Sequence, residues 1–174
     1  MFHKSLFYFS AFALIFCAVS SSEAYAGEPR LLGKYGAWEA YVFTENGGKV
    51  CYMASRPQTD EGNYSRRGEI YALITHRPAE GSKNVFSYSA GYTYKSSSET
   101  TLKANGESFS LFTQDDTAWG PDAATDEALV KAIRAGSKMI VRGTSSRGTK
   151  TKDTFSLKGS SGAHNKMTQE CGYK

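Results

Sequence analysis

The chain has 174 residues, a formal net charge of +4, 40% apolar residues and 22% charged residues. This length favours one domain, and the apolar share is large enough to bury a core, which excludes an intrinsically disordered chain. The charge is too small and too dispersed to indicate nucleic-acid binding. It predicts at most a weak preference for anionic surfaces, such as peripheral association with a membrane.

The N-terminal segment differs in composition from the rest of the chain. A basic start, "MFHK", precedes the apolar run "SLFYFSAFALIFCAV", and Ala24-Tyr25-Ala26 then supplies a small-x-small cleavage pattern. Residues 1–26 are therefore predicted to be a Sec-type signal peptide. The alternative is an uncleaved membrane anchor, but the run is shorter than the roughly 20 residues that span a bilayer. Residues 27–174 are predicted to form a single domain that resides in the periplasm, at the outer membrane or outside the cell.

Alternating apolar residues and turn signals predict a series of short strands after a leader at residues 27–35. Two Asn-Gly pairs, at 46–47 and 105–106, predict hairpins. Gly91, inside a strand pattern, indicates a bulge or a close approach of two backbones. The predicted strands and hairpins lie at residues 37–55, 68–78, 84–95, 99–114 and 137–159, and the predicted loops at residues 56–67 and 115–122.

Helical periodicity appears twice. Residues 124–136 place apolar side chains at helical spacing, with acidic residues first, basic residues last and Gly136 as the stop. Residues 160–171 predict a short C-terminal helix. The fold class is therefore mainly β: an antiparallel β-sandwich or partly closed barrel of about seven to nine short strands, with one internal helix and a short C-terminal helix.

The cysteines predict an oxidising compartment. Cys17 leaves with the signal peptide, so the exported chain keeps an even pair, Cys51 and Cys171, which we expect to form a disulfide. The alternatives are two free thiols or half of a metal site. With only His76 and His164 left in the exported chain and no C-x-x-C spacing, we expect neither a metal nor a cofactor.

Catalytic patterns are weak. A triad of a serine from Ser145–Ser146 with His76 and Asp153 lacks the G-x-S-x-G signature, and the carboxylates of Asp115–Asp116 suit a turn. The prediction is therefore a non-enzymatic protein without catalytic residues. The alternative is a periplasmic hydrolase or carbohydrate-active enzyme with an unrecognised site, which would require these residues to cluster: His76, Asp115, Asp116 and Ser146.

The segment 143–159 predicts a hairpin that begins polar and enters the core at Phe155 and Leu157. Its tip is basic, and exposed aromatic residues elsewhere are able to stack on sugars or peptides. The same aromatic residues need no function if they pack in the core. The candidate surface contacts are Arg147, Lys150, Lys152, Tyr92, Tyr94 and Trp119.

Several long runs resemble the invasion-associated locus B family of exported proteobacterial proteins. They are "GEIYALITHRPAEG", "SAGYTYK", "DDTAWGPD" and "LVKAIRAGSKMIVRGTSSRGTKTKDTFSLKG", together with the two cysteines of the exported chain. The resemblance extends over roughly residues 38–171.

The resemblance implies a small periplasmic, envelope-associated or secreted protein, of a family in which some members are linked to invasion of host cells. It implies no agreed enzymatic activity, cofactor or catalytic residue. We therefore expect an exported protein that acts by binding an unidentified protein or a surface component of a host cell or the envelope.

Overall fold

The computed structural model describes residues 27–173, so the predicted signal peptide lies outside the described residues. The described part contains eleven strands, two α-helices and one 3-10 turn at Pro78–Glu80. The helices are α1, Ala123–Ala135, and α2, Ser160–Glu170. The strands are β1 Arg30–Tyr35, β2 Trp38–Glu45, β3 Gly48–Ser55, β4 Thr59–Gly62, β5 Tyr71–Arg77, β6 Ser82–Ser89, β7 Thr100–Ala104, β8 Glu107–Gln114, β9 Thr117–Trp119, β10 Lys138–Thr144 and β11 Lys150–Ser156.

The strands form one antiparallel sheet in the order β1-β2-β3-β5-β6-β9-β8-β7-β10-β11-β4. The short strand β9 pairs with β6 on one side and with β8 on the other, so it joins the two halves of the sheet. The sheet is not closed into a barrel, and β1 and β4 are its edges. The predicted mainly β class is confirmed, and the structure takes the sandwich-like alternative.

Contacts between strands that are distant in the sheet show that its halves face each other. The ring of Tyr88 in β6 meets that of Phe155 in β11 edge to face, with centroids 6.1 Å apart. The indole Nε1 of Trp38 in β2 donates to the carbonyl of Ser156, also in β11, at 3.0 Å. All of these rings are almost fully buried, so the core lies between the halves.

Both predicted helices are present and cover the core. Helix α1 packs mainly on β6, and α2 packs on β1, β2 and β3. Asp122 caps α1 by accepting a hydrogen bond from the Thr125 N–H at 2.7 Å, which satisfies one of the free donors of the first turn. Leu129 and Ile133 lie on its buried face. Neither helix is long and apolar enough to cross a bilayer.

The predicted number of strands was too low. Strands β1, β4 and β9 fall in segments predicted as a leader or as loops. Strand β4, "TDEG", is wholly exposed and has no apolar alternation, so nothing local marks it as a strand. It is held by backbone pairing with β11, a partner about 90 residues later in the chain. Such pairing is a tertiary property that local patterns do not carry.

Both Asn-Gly hairpins are confirmed. Asn46 and Gly47 have φ values of +50° and +76°, and Asn105 and Gly106 have +49° and +82°. Two successive left-handed residues match the right-handed twist of the flanking strands. The predicted disulfide is also confirmed: Cys51 in β3 is bonded to Cys171, directly after α2, and closes a loop with a sequence separation of 120.

Gly91 explains why β6 ends earlier than predicted. Its φ is +70°, which L side chains rarely adopt. A Cβ on Gly91 would lie 2.5 Å from the carbonyl oxygen of Gly68. The Gly68 N–H in turn donates to the Gly91 carbonyl at 2.9 Å. The predicted close approach of two backbones is thus confirmed, and it joins the segments that precede β5 and follow β6.

Candidate functional site: an arginine-lined pocket

This glycine contact lies at the edge of a cavity of about 420 Å³, called here the arginine pocket. Three separate segments surround it: the loop before β5, the turn after β6 and the tip of the β10–β11 hairpin. Its lining residues are Asn63, Tyr64, Ser65, Arg66, Arg67, Gly68, Gly91, Tyr92, Thr93, Ser145, Ser146, Arg147, Thr149 and Thr151. Three of these are arginines and none carries a carboxylate.

A buried ion pair forms the base of the pocket. Arg67 Nη1 and Nη2 each donate to one carboxylate oxygen of Asp153 at 2.7 Å. The side chains are 4% and 0% exposed. Arg67 also donates through Nε to the Ala90 carbonyl at 2.7 Å, and the Tyr88 hydroxyl donates to the same carboxylate. Two-point pairing of this kind fixes geometry as well as charge.

The charge of Arg67 is therefore compensated inside the protein. Burial by itself would lower the pKa of the guanidinium, but the hydrogen bonds to Asp153 raise it overall. Burial also raises the pKa of Tyr88, which is reinforced by the adjacent carboxylate. Arg67 stays a cation and Tyr88 a neutral phenol across the physiological pH range, so neither group can act as a base.

Two aromatic rings lie close to the guanidinium of Arg67. Its Cζ lies 5.0 Å from the centroid of the Tyr92 ring and 5.4 Å from that of Tyr64. The Tyr92 hydroxyl forms a 2.7 Å hydrogen bond with Thr151 Oγ1. A cation over an aromatic face is attracted by the ring quadrupole. These contacts tie Tyr92 and Tyr64 to Arg67 and so orient their rings in the pocket wall.

The mouth of the pocket carries uncompensated positive charge. Arg66 and Arg147 are exposed, and neither forms an ion pair with any residue in the range 27–173. The two arginines come from loops about 80 positions apart in the chain. A concave site with one sign of charge at its mouth concentrates ligands of the opposite sign.

The residues predicted as surface contacts lie in different places in the structure. Arg147 and Tyr92 line the pocket. Lys150 is exposed but is not part of the lining, and Lys152 pairs with Glu61 at 2.7 Å. Trp119 is half-buried on the outer face of the sheet, between Ser87 and Phe112, and lies outside the pocket lining.

Tyr94 is a correction. It is only 6% exposed, and its ring packs edge to face against Tyr92 at 5.2 Å, so it cannot touch a partner directly. Its position supports the wall of the pocket from behind. Sequence reasoning also missed the run "NYSRRG", which supplies Tyr64, Arg66 and Arg67 to the pocket. Its mixture of an aromatic residue with two adjacent cations in a polar loop was the available signal.

The residues considered for catalysis do not come together. Ser146 lines the arginine pocket, as does Gly68, which precedes β5. His76 lies near the other end of β5, five residues and so about 16 Å beyond the first residue of the strand, Tyr71. Asp115–Asp116 lie at the exposed β8–β9 turn and are not part of the lining. Asp153 is committed to Arg67. No described cluster of three or more His, Cys, Asp or Glu residues could hold a metal ion.

The two histidines instead form a buried polar chain beneath α2. His76 Nδ1 accepts from the Asn84 N–H at 3.0 Å, so its Nε2–H donates to Thr168 Oγ1, also at 3.0 Å. Thr168 contacts His164 Nδ1 at 3.4 Å, and His164 Nε2 lies 2.8 Å from Asn84 Oδ1. The Asn84 amide then donates to Glu127. The chain satisfies both rings in their neutral form.

Protonation of either histidine would disrupt this chain. Burial lowers the pKa of His76 to about 4, with Lys83 adding to the effect. Burial lowers the pKa of His164 to about 3, with Arg134 and His76 adding to it. Both rings are neutral at pH 7, buried and fully hydrogen bonded, which is typical of structural histidines.

Comparison with known proteins gives one match. The model of the family described as "Invasion associated locus B (IalB) protein" matches residues 38–168, which is most of the chain. No curated protein and no solved structure matches the chain.

Proposed function

The chain belongs to the invasion-associated locus B family, and from this premise we propose that it is an exported, non-enzymatic binding protein. It acts at the cell envelope or outside the cell, and its partner is a protein or a surface component of a host cell or of the envelope. The arginine pocket is the contact site, and the partner presents an acidic group to it.

Two features support export. The first 26 residues have the composition of a signal peptide. The disulfide between Cys51 and Cys171 is of the kind that persists in oxidising compartments and is rare in the cytosol.

The observation that carries the binding proposal is the distribution of charge in the arginine pocket. Arg67 is neutralised by Asp153 at the base, whereas Arg66 and Arg147 at the mouth have no ionic partner among residues 27–173. An acidic group that enters the mouth would find two free guanidinium groups, which bind carboxylate, sulfate or phosphate oxygens in a two-point geometry.

The same lining speaks for binding rather than catalysis. General acid–base chemistry needs a group whose pKa lies near the working pH. The ionisable groups of the lining are arginines and tyrosines, and burial raises the pKa of Tyr92 above its ordinary value. The hydroxyl of Ser145 accepts a hydrogen bond from the Thr149 N–H at 3.2 Å and serves the hairpin turn.

A capture experiment with three proteins tests the proposal. Immobilised residues 27–174 are incubated with solubilised envelope and with host-cell membrane fractions, and retained components are identified by mass spectrometry. We expect Arg66→Glu with Arg147→Glu to reduce retention of the specific component at least tenfold. The matched control reverses two exposed charges outside the pocket, Lys103→Glu with Lys138→Glu, and should retain it fully.

The outcomes separate the alternatives. Retention should weaken steeply with salt, because exposed charges are screened within about 10 Å at 0.1 M ionic strength. Equal retention by all three proteins would refute the role of the arginine pocket. Release of cleaved products from either fraction by the wild-type protein would favour a hydrolase instead.

A further inference from the structure

A second concave site lies on the outer face of the sheet, over β2, β3 and β5. Ala54 in β3 is at its centre. Along the strand, the next side chains on the same face are Tyr52 and Arg56, and across the strands Ala54 is paired with Glu39 and Leu73. A methyl group surrounded by four longer side chains leaves a depression, whose volume is about 640 Å³. We call it the aromatic cup.

Aromatic rings form its walls. Tyr41 and Tyr52 stack with centroids 5.0 Å apart and ring planes 12° from parallel. On the other side, the Arg56 guanidinium lies 4.5 Å above the ring of Tyr71. All three tyrosines are only partly buried. Offset stacking and the cation contact fix the orientation of rings that would otherwise move freely at the surface.

Charged groups around the cup are balanced. Glu39 accepts from Lys34 Nζ at 2.7 Å and from the Tyr41 hydroxyl. Glu69 accepts from the Tyr71 hydroxyl at 2.9 Å and pairs with Arg56. The two carboxylates and two cations sum to zero.

The carboxylates are held ionised. The hydrogen bond from Lys34 lowers the pKa of Glu39, with Tyr41 adding to it. Hydrogen bonds from Tyr71 and Arg56 lower the pKa of Glu69. Both groups are therefore permanent acceptors at neutral pH, and each carboxylate has lone pairs beyond those already used.

We propose that the aromatic cup binds a neutral saccharide. A pyranose ring has an apolar C–H face that packs on aromatic rings, and hydroxyl groups at its edge that both donate and accept. Glu39, which lines the cup, accepts from such hydroxyls, and Arg56 donates to them, while Glu69 lies beside the lining and pairs with Arg56. A wholly apolar ligand would cover the remaining acceptor sites of Glu39 and the remaining donors of Arg56 without satisfying them, which is costly on burial, and an anionic ligand would meet the Glu39 carboxylate.

The size of the cup fits a saccharide site, since small-molecule sites usually enclose about 300–1,000 Å³.

The carboxylates of the cup suit binding rather than cleavage of a sugar. Glycoside hydrolysis needs one carboxyl group whose pKa is raised so that it can protonate the leaving group. Glu39 and Glu69 have pKa values shifted in the opposite direction. The cup holds a sugar without cleaving it.

The test starts from a printed array of neutral and acidic oligosaccharides probed with labelled residues 27–174. Each saccharide retained on the array is then titrated calorimetrically into the wild-type protein, into the arginine-pocket variant Arg66→Glu with Arg147→Glu, and into two further variants. Ala54→Tyr fills the cup from its floor and should weaken binding at least tenfold. The control, Ala124→Tyr, adds the same side chain at an exposed position in the first turn of α1 and should bind like the wild type.

The site shares no lining residue with the arginine pocket, so the two proposals can fail separately. The proposal is supported by a neutral saccharide that still binds to the variant Arg66→Glu with Arg147→Glu but no longer binds to Ala54→Tyr. Retention of acidic saccharides alone overturns it, as does affinity that Ala54→Tyr leaves unchanged or an array without any retained sugar. Tyrosine-lined grooves can also bind proline-rich peptides. Calorimetric binding of such a peptide in place of a sugar, lost in Ala54→Tyr, would therefore also overturn the proposal.

Discussion

Replacing Asp153 by asparagine tests the base of the arginine pocket most directly. The change keeps the side-chain shape but removes the carboxylate that pairs with both terminal nitrogens of Arg67. Arg67 is 4% exposed, so its charge would stay buried without compensation. Breaking a buried pair by removing one partner costs about 3–5 kcal/mol. Domains of this kind are stable by only about 5–15 kcal/mol in total.

We therefore expect Asp153→Asn to lower the midpoint of urea unfolding sharply, measured on residues 27–174 by tryptophan fluorescence, to which buried Trp38 contributes. The physical cause is isolated by a second variant, Arg67→Met with Asp153→Leu, which removes both charges. Apolar replacement of a whole buried pair is often neutral or stabilising, so this double variant should recover part of the loss, the remainder coming from the Tyr88 hydroxyl and the Ala90 carbonyl, which lose their partners. Asp116→Asn, the same change at an exposed position, is the control.

Two results would refute this reasoning. One is a loss below about 1 kcal/mol for Asp153→Asn, which is the level of a surface ion pair. The other is a double variant whose loss equals the summed losses of Arg67→Met and of Asp153→Leu measured singly, because independent sites add and coupled sites do not. If Asp153→Asn does not fold at all, recovery of folding by the double variant still decides the question.

Three further predictions concern other parts of the fold. Cys51→Ser with Cys171→Ser should lose about 5 kcal/mol, from the chain-entropy relation for a loop of this length, and melt about 10–20 °C lower by calorimetry. Burial lowers the pKa values of His76 and His164, so below pH 6.5 the unfolded chain binds more protons than the folded chain. The free energy of unfolding should therefore fall by up to about 2.7 kcal/mol per pH unit as the pH drops from 6.5 towards 4. Gly91→Ala should cost more than about 1 kcal/mol in urea unfolding, since the new methyl meets a backbone carbonyl at 2.5 Å.

Matched controls accompany each of these. Reducing agent should leave the Cys51→Ser, Cys171→Ser protein unchanged, and a wild-type melting curve insensitive to reductant would contradict the disulfide argument. Gly47→Ala has a similar φ but open space around the new methyl, so a loss equal to that of Gly91→Ala would remove the steric explanation. Burial raises the pKa of Asp126, so in acid the folded chain takes up a proton there more readily than the unfolded chain does. This uptake offsets part of the stability that the histidines lose in acid. If replacement of both His76 and His164 leaves the pH dependence of the free energy of unfolding as it is in the wild type, the two histidines are not its cause.

Local patterns in the sequence were sufficient for much of the fold. The Asn-Gly pairs predicted two hairpins because only a few residues adopt the left-handed turn that such hairpins require. The spacing of Leu129 and Ile133 predicted α1. The even cysteine pair predicted the disulfide that joins β3 to the chain beyond α2. Each of these signals depends on neighbouring residues or on simple counting.

The candidate sites depended on contacts between distant segments. Residues 63–68 and the hairpin tip at residues 145–149 are about 80 positions apart, and the sheet order alone brings them to one pocket. The burial of Tyr94 and the pairing of Asp153 with Arg67 could not be deduced from alternation, which assigns a face but not what covers it. The aromatic cup needs β2, β3 and β5 in register.

The sequence by itself thus determined the class of the fold, its turns, its helices, its covalent bridge and its family. Those are set by local backbone preference, by periodicity and by residue type. Only the tertiary structure decided which charges are neutralised and which are free. Arg67 and Arg66 are adjacent and chemically identical, yet one is buried on a carboxylate 86 residues away and the other is exposed at the pocket mouth. Burial and pairing are properties of the packed chain, and they separate an arginine that is neutralised inside the protein from one whose charge is exposed.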